Sequence, residues 1–126
     1  MIDPTSFKYD KSRLKDLWKF LHSKGYEVYF PAQHQGDCLS KYIVVKYDGV
    51  ISSLNISSRA DLYSILCYVP FNQYSVIEEF VQDVKASMKE LEPLFLVHND
   101  QQLPAYFDDA NKGHYVEIDY KNYKFD

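Results

Sequence analysis

The side chains best suited to chemistry are four histidines and two cysteines, and their spacing favours neither catalysis nor metal binding. His22, His34, His98 and His114 include no HxxxH or HxxEH pair, the spacing that places two metal ligands on one helical face. His34 shares a polar stretch with Cys38, and a thiol beside an imidazole is the minimum for a nucleophile. Two loop residues at this separation have no fixed geometry, so a flexible polar loop is the simpler interpretation.

The acidic residues are a second candidate, since Asp108-Asp109 and the acids of the last predicted strand could act as paired carboxylates. No loop with calcium-binding spacing surrounds them, and adjacent aspartates are typical of a solvated turn. The chain also lacks GxxxxGK[ST], GxGxxG and GxSxG motifs, and it has only four glycines to wrap backbone amides around phosphate. We therefore expect no cofactor, no metal and no enzymatic activity, with a small hydrolase that uses Cys38 as an alternative.

The composition is that of one globular domain, which we assign to residues 1–126. Apolar residues make up 46% of the chain and charged residues 25%, while the 17% of aromatic residues suits half-buried strand faces and contact surfaces. No apolar run approaches the roughly 18 residues that span a bilayer, and the first residues lack a secretion signal. Cys38 and Cys67 form no disulfide or zinc pattern, so a reducing cytoplasm is the expected environment.

Charge is unevenly distributed along the chain. Residues 1–63 hold nine Lys/Arg and seven Asp/Glu, a balance of +2, whereas residues 64–126 hold five and eleven, a balance of −6. Together they give the net charge of −4, which disfavours duplex nucleic acid as a partner. A basic end that meets the acidic end of a neighbour would support head-to-tail self-association, and unequal solvated charge is the alternative interpretation.

Hydrophobic periodicity and turn residues predict the elements that position these side chains. We expect a helix from Asp10 or Ser12 to Lys24, strands at 26–30, 42–47, 50–56 and 61–69, a helix at 76–91, and strands at 94–97 and 114–123. Asp48-Gly49 predicts a hairpin turn, and Ser75 with Glu78 predicts a helix capping box.

Two strands carry most of the topological information. The strand at 61–69 is apolar on both faces, which predicts a central position in the sheet. The last strand alternates, with Glu117 and Asp119 on a wet face and Val116 and Ile118 on an apolar one. The order of elements predicts an α+β fold, with a single mixed or antiparallel sheet of about five to six strands packed against two helices.

The order of several short motifs carries a resemblance to a known family. Asp61-Leu-Tyr-Ser-Ile-Leu-Cys-Tyr-Val-Pro70 is followed by Tyr74-Ser-Val-Ile-Glu78, Val84-Lys-Ala-Ser-Met-Lys-Glu-Leu91, Pro104-Ala-Tyr-Phe-Asp-Asp109 and Lys112-Gly-His114. Over roughly residues 36–123, this sequence resembles the tail-terminator or tail-completion proteins of long-tailed bacteriophages and of headless phage-tail-like particles. The tyrosine-rich end departs from a generic terminator, so a neighbouring connector of the neck is also consistent with the pattern.

The resemblance implies a structural protein without turnover or cofactor. Members of the family that the chain resembles are small α+β domains, and they assemble on the end of the tail tube as a homo-oligomeric ring of about six copies. The implied partners are further copies of the chain, tail-tube and possibly sheath subunits, and a neck or head-completion protein. DNA would meet the protein only by passage through the channel, and no membrane is involved. The implied location is the virion or phage-tail-like particle, assembled in the cytoplasm of the bacterial host.

Charge complementarity suggests which residues join neighbouring copies in such a ring. The candidate inter-subunit contacts are Arg13, Lys15 and Lys19 on the first helix, against Asp108, Asp109, Glu117 and Asp119. The acidic face could also line the channel and repel DNA enough to let it slide. An acidic immunity or inhibitor protein that covers a basic partner is the alternative function, with tyrosines and acid clusters as its contact residues.

Overall fold

The computed structural model describes residues 12–52, 58–98 and 104–125, with only the backbone considered for Ser52, Ser58, Lys124 and Phe125. The elements in chain order are α1 (Leu14–Ser23), β1 (Val28–Tyr29), β2 (Tyr42–Ser52), β3 (Ser58–Pro70), α2 (Ile77–Met88), β4 (Leu96–Val97), β5 (Tyr106–Asp108) and β6 (Gly113–Phe125). Short 3₁₀ turns at Phe71–Val76 and Lys89–Leu91 flank α2.

The strands within the described residues form one mixed sheet of six strands. Its order is β1-β2-β3-β6-β4, and β5 also pairs with β6. The β1–β2 pair is parallel and every other pair is antiparallel. This architecture confirms the predicted α+β class, and it confirms that the strand containing residues 61–69 is central, between β2 and β6.

Both helices cover the same side of the sheet, which we call the helix face. Leu17 and Leu21 of α1 and Phe80 and Val84 of α2 are almost completely buried. They belong to one apolar cluster with the inward side chains of the central strands, which are Ile43, Val45, Tyr63, Ile65, Cys67, Val69, Val116, Ile118 and Tyr120. The helical spacing of apolar residues in α1 and α2 therefore decides which side of the sheet is buried.

No helix in the described residues covers the opposite side of the sheet, which we call the open face. Near the Pro70 end, Tyr42 and Tyr68 are nevertheless buried, because they stack on each other and pack with Cys38 in a second small cluster. Further along the strands, Val44, Leu66 and Glu117 are half-buried. The open face is thus apolar and covered at one end, and wet at the other.

The prediction of a hairpin turn at Asp48-Gly49 is wrong. Strand β2 continues through these residues to Ser52, and its register against β3 shifts between Tyr47 and Gly49. Gly49 has a φ of +97°, a conformation typical of glycine in a β-bulge. The strand predicted at 50–56 is therefore the end of β2 as far as Ser52, and the remainder lies outside the described residues.

Other details of the elements also differ from the sequence prediction, including a first strand that is only Val28–Tyr29 and an α2 that ends at Met88. The capping box at Ser75 and Glu78 is not formed: Ser75 lies in the 3₁₀ turn, and α2 begins at Ile77 without a side-chain cap. Helix α1 begins at Leu14, while the earlier predicted start at Asp10 lies outside the described residues. Strand β5 lies between the strands predicted at 94–97 and 114–123, where no element is predicted, since three residues are too few to establish an alternating pattern.

Candidate functional site

Three carboxylates meet on the wet part of the open face. Glu117 and Asp119 occupy alternate positions of β6, so both point to this side of the sheet. Ser64 of β3 stands opposite Asp119, with its Oγ 3.0 Å from Asp119 Oδ1. The same hydroxyl is hydrogen-bonded to Asp48 of β2, whose carboxylate lies 3.3 Å from Lys46 Nζ. We call Asp48, Glu117 and Asp119 the acidic patch.

The carboxylates in this patch repel one another, because they carry like charges. Burial raises the pKa of Glu117 above its ordinary value, and the hydrogen bond to Asp119 and the negative charge of Asp119 raise it further. Lys46 lowers the Glu117 pKa, and the charge of Asp48 again raises it. Lys46 therefore compensates only part of the charge of the three carboxylates, and Lys121, the next open-face residue of β6, has its Nζ over the Tyr123 ring. The patch presents a negative field to an approaching surface.

A row of aromatic rings crosses the open face beside the acidic patch. Tyr42, Tyr68 and Tyr115 stand opposite one another on β2, β3 and β6. Tyr42 and Tyr68 stack with centroids 4.7 Å apart, and Tyr68 and Tyr115 stack at 5.1 Å. His34 extends the row at one end, 4.1 Å from Tyr42, and Tyr106 extends it at the other, 5.8 Å from Tyr115. We call Tyr42, Tyr68 and Tyr115 the tyrosine row.

A pocket of about 220 Å³ lies between this row and the loop that follows β1. Its floor contains Val44 and Leu66, and Lys46 and Asn111 supply polar groups at its border. The remaining lining residues are Pro31, Ala32, His34, Tyr42 and Tyr68. The pocket is small and largely apolar, so it suits an anchoring side chain of a partner protein.

The basic side chains of α1 lie on the helix-face side of the sheet, with the sheet between them and the acidic patch. Lys15, Lys19 and His22 are exposed and follow one another at helical spacings of four and three residues, opposite the buried Leu17 and Leu21. We call Lys15, Lys19 and His22 the basic stripe. The structure thus brings the predicted acids of β6 together, but it separates them from the predicted basic residues within one chain.

Arg13 is less available for an external contact than the two lysines. Its guanidinium lies 3.6 Å from the Asp16 carboxylate, one turn along α1. Its backbone N–H donates to Tyr63 Oη at 2.7 Å, which fastens the start of the helix to the sheet. Arg13 therefore serves the connection between α1 and β3, while Lys15 and Lys19 extend into solvent.

Asp108 and Asp109 have different roles despite being adjacent. The Asp108 carboxylate accepts hydrogen bonds from the Ala110 N–H at 3.0 Å, Asn111 Nδ2 at 3.1 Å and Tyr68 Oη at 3.3 Å. Asp108 thus holds the turn between β5 and β6 in place, which agrees with the interpretation of a turn. Asp109 is exposed at the same turn.

The environment of Cys38 is opposite to that of an activated nucleophile. The thiol is 2% exposed and donates a hydrogen bond to the Ser40 carbonyl at 3.3 Å. Burial and the nearby Glu27 charge raise the pKa of Cys38 to about 11, so the thiol is protonated at neutral pH. The His34 ring is engaged in stacking on Tyr42. These contacts give Cys38 and His34 packing roles.

A second group of exposed aromatic residues lies at the end of the sheet where β3 ends at Pro70 and β6 begins at Gly113. Phe71 is 62% exposed, Tyr74 58% and Phe107 47%. His114 lies among them, hydrogen-bonded through Nε2 to the Phe71 carbonyl at 3.1 Å, with its ring 4.9 Å from Tyr74 and 5.1 Å from Phe107. We call Phe71, Tyr74, Phe107 and His114 the aromatic end cluster. Large apolar side chains grouped in this way on a small domain are typical of a protein contact surface.

The sequence analysis missed Asp48, Ser64 and the aromatic end cluster. Asp48 was assigned to a hairpin turn, and its position beside Ser64 follows from the bulge in β2. The end cluster is assembled from a 3₁₀ turn, β5 and β6, which lie far apart in the sequence. Its one available signal was the run of aromatic residues at Phe71, Tyr74, Tyr106 and Phe107, next to predicted strand ends.

Residues 12–52, 58–98 and 104–125 contain neither a candidate metal site nor a candidate membrane-spanning helix. Within these residues no group of three His, Cys, Asp or Glu side chains has the geometry to hold a metal ion. None of the helices in the same residues combines the length and apolar character needed to cross a bilayer.

No model of a known protein family matches this chain, and no curated protein matches it.

Proposed function

We propose that this protein is a structural component of a phage tail, a tail terminator that caps the tail tube as a ring, ends tube polymerisation and joins the tail to the neck. The proposal starts from the order of motifs from Asp61 to His114, which resembles that family. It is supported by a surface that offers two separate contact regions on a small domain. A ring subunit needs both, because it binds its neighbours and also stacks on the tube.

The aromatic end cluster is the observation that carries the proposal. Phe71, Tyr74 and Phe107 are exposed, and His114 joins them through a hydrogen bond to the Phe71 carbonyl and through ring contacts with Tyr74 and Phe107. Preformed aromatic anchors lose little conformational entropy on binding, so they are efficient contact residues. Because they lie at an end of the strands, they can meet a tube layer while the sheet faces meet neighbouring subunits.

The test is a tube-growth assay observed by electron microscopy. Tail-tube subunits polymerise alone, with the wild-type protein, or with the variant Phe71→Ser/Phe107→Ser. We expect the wild-type protein to shorten the tubes and to appear as a cap at their ends, and the variant to leave tube length unchanged. The matched control is Val50→Ser/Val97→Ser, which removes exposed apolar side chains elsewhere and should still cap. Tubes that grow equally long with and without the wild-type protein would refute the terminator function.

An inhibitor of a basic protein is the second candidate function, and the acidic patch beside the tyrosine row favours it. Carboxylates flanked by aromatic rings are typical contact residues for a lysine-rich or arginine-rich partner. The two functions differ in self-association, because an inhibitor with one contact surface stays monomeric or dimeric in the absence of its target. A protein that neither assembles at tube ends nor changes tube length would shift the assignment to the inhibitor.

A further inference from the structure

The two charged surfaces of this chain cannot reach each other within one molecule. The basic stripe lies on the outer side of α1, above the helix face, whereas Glu117 and Asp119 lie on the open face. We propose that the basic stripe of one copy docks on the acidic patch of the next copy, so that the outer surface of α1 in one subunit packs against the open face of its neighbour. This inference rests on the proposed ring function and names the contact that would build the ring.

The spacing of the charges on the two surfaces matches. Lys15 and Lys19 are four residues apart on a helix, which separates them by about 6 Å along its axis. Glu117 and Asp119 are two residues apart on a strand, which separates them by about 6.7 Å. Each lysine of one copy therefore meets one carboxylate of its neighbour when α1 lies along β6.

The surroundings of the two carboxylates favour a cationic partner. Asp119 shares the Ser64 hydroxyl with Asp48, and Lys46 lies close to the patch. Lys121 occupies the next open-face position of β6, but its Nζ lies over the Tyr123 ring, 5.1 Å from the ring centroid. Two lysine ammonium groups would balance the excess negative charge that the isolated subunit leaves uncompensated. Tyr115, two residues before Glu117 on the same side of β6, offers a ring against which a lysine stem can pack.

The contact joins two different surfaces, so it is heterologous. Such a contact repeats from copy to copy and closes when the rotation between copies permits a ring. Arg13 and Asp108 take no part in it, because Arg13 pairs with Asp16 and Asp108 holds its own turn. Of the predicted inter-subunit residues, Lys15, Lys19, Glu117 and Asp119 thus lie at the proposed contact, and Asp109 stays exposed at the turn beside Asp108, outside it.

Charge exchange between two variants provides the test. The first variant is Lys15→Glu/Lys19→Glu, and the second is Glu117→Lys/Asp119→Lys. We expect each variant alone to lose self-association by about tenfold or more, because each places like charges at every contact. A mixture of the two variants should assemble again with the variants alternating. The acidic stripe of the first variant then meets the basic patch of the second, and the basic stripe of the second meets the acidic patch of the first. Light scattering measures the mass, both in solution and with tube fragments present.

Three controls keep the outcome decisive. Lys89→Glu/Lys112→Glu makes the same change in net charge as Lys15→Glu/Lys19→Glu, but at exposed positions away from the contact. This control should assemble like the wild type. Circular dichroism verifies that each variant is folded, and Glu117→Gln/Asp119→Asn replaces the lysine variant should that one fail to fold. This milder variant should also lose self-association.

The outcomes distinguish a failure of the proposed inter-subunit contact from a failure of the proposed terminator function. A first variant that assembles like the wild type, or a mixture that stays dissociated, would overturn the proposed contact. If such a variant still caps tubes as a ring, the terminator function stands and the ring uses another interface. If the wild-type protein forms no assembly at all, in solution or on tubes, both proposals fall.

Discussion

Glu117 lies half-buried on the open face, beside Asp119 and next to the tyrosine row. Burial removes water from its carboxylate, and Asp119 adds a like charge, so both effects disfavour the ionised form and raise its pKa above the ordinary value of a glutamate. Lys46 compensates part of this effect. The isolated subunit therefore carries an unfavourable charge at the position where a neighbouring lysine would be most useful.

Replacement of Glu117 by glutamine should stabilise the isolated subunit at pH 7. Because the folded pKa lies above the unfolded one, the folded state holds this proton more tightly, and stability is lost as pH rises from the unfolded pKa through the folded pKa. Glu117→Gln should raise the free energy of unfolding at pH 7 by about 0.5 kcal/mol and reduce its decline over that pH range. Urea unfolding of the monomer between pH 4 and 7 measures both effects. Glu79→Gln, in the first turn of α2, should give no gain, since the helix N-terminus favours a negative charge there.

The residue types of the charged surfaces were predictable from the sequence, but their individual roles were not. Helical spacing placed Lys15 and Lys19 on the solvent side of α1, and strand alternation placed Glu117 and Asp119 on the wet side of the last strand. The sequence alone cannot distinguish the role of Asp108 from that of Asp109. Their difference depends on Tyr68, which lies on another strand and donates a hydrogen bond to Asp108.

At the scale of elements, β3 and β6 were the most predictable and β2 the least. Apolar residues on both faces predict the central position of β3. The alternation of polar and apolar residues predicts one wet face and one apolar face for β6. In β2, Asp48-Gly49 has the composition of a hairpin turn, but the pairing of Tyr47 with Tyr63 and of Gly49 with Leu62 continues the strand through a bulge. Local turn chemistry was overridden by pairing over a long distance, which a single sequence does not display.

The tyrosine row links β2, β3 and β6 on the open face, and Tyr42 is its most enclosed member at 2% exposure. Tyr42→Leu should reduce the free energy of unfolding by about 1–3 kcal/mol, because it removes stacking on both Tyr68 and His34 and leaves space behind. Tyr42→Phe keeps the ring and should cost clearly less. Chemical denaturation of the two variants provides the comparison, and equal losses would show that ring stacking does not stabilise this part of the sheet.

Gly113 permits the close approach of β6 to the loop that contains Cys38. A Cβ at position 113 would lie 2.9 Å from Cys38 Cβ and 3.0 Å from the Val69 carbonyl oxygen. Gly113→Ala should therefore reduce the free energy of unfolding by about 1–3 kcal/mol through overpacking. Addition of Cys38→Gly removes one of the two close neighbours. In thermal unfolding, the double variant should lose less than the sum of the two single variants, and strict additivity would contradict this account.

The whole molecule presents its charged and its aromatic surfaces in different directions. One side of the sheet carries the helices with the basic stripe, and the other carries the acidic patch. The end where β3 stops and β6 begins carries the aromatic end cluster. The unequal charge of the two halves of the sequence is consistent with head-to-tail self-association, which stays a prediction. The aromatic surface could not be foreseen, because Phe71, Tyr74 and Phe107 come together only when the 3₁₀ turn and β5 pack around His114.

The division into charged and apolar surfaces predicts that salt separates ring formation from tube binding. The Debye length falls from about 8 Å at physiological ionic strength to about 3 Å at 1 M, so the contact of Lys15 and Lys19 with Glu117 and Asp119 should weaken strongly. The aromatic end cluster contains no carboxylate and no lysine, and its contact with a tube should persist or strengthen, since salt does not screen the burial of apolar surface. Sedimentation in rising sodium chloride should therefore show rings dissociating to single subunits, while subunits still pellet with tubes. A ring that remains intact in 1 M salt while tube binding is lost would reverse the assignment of the two surfaces.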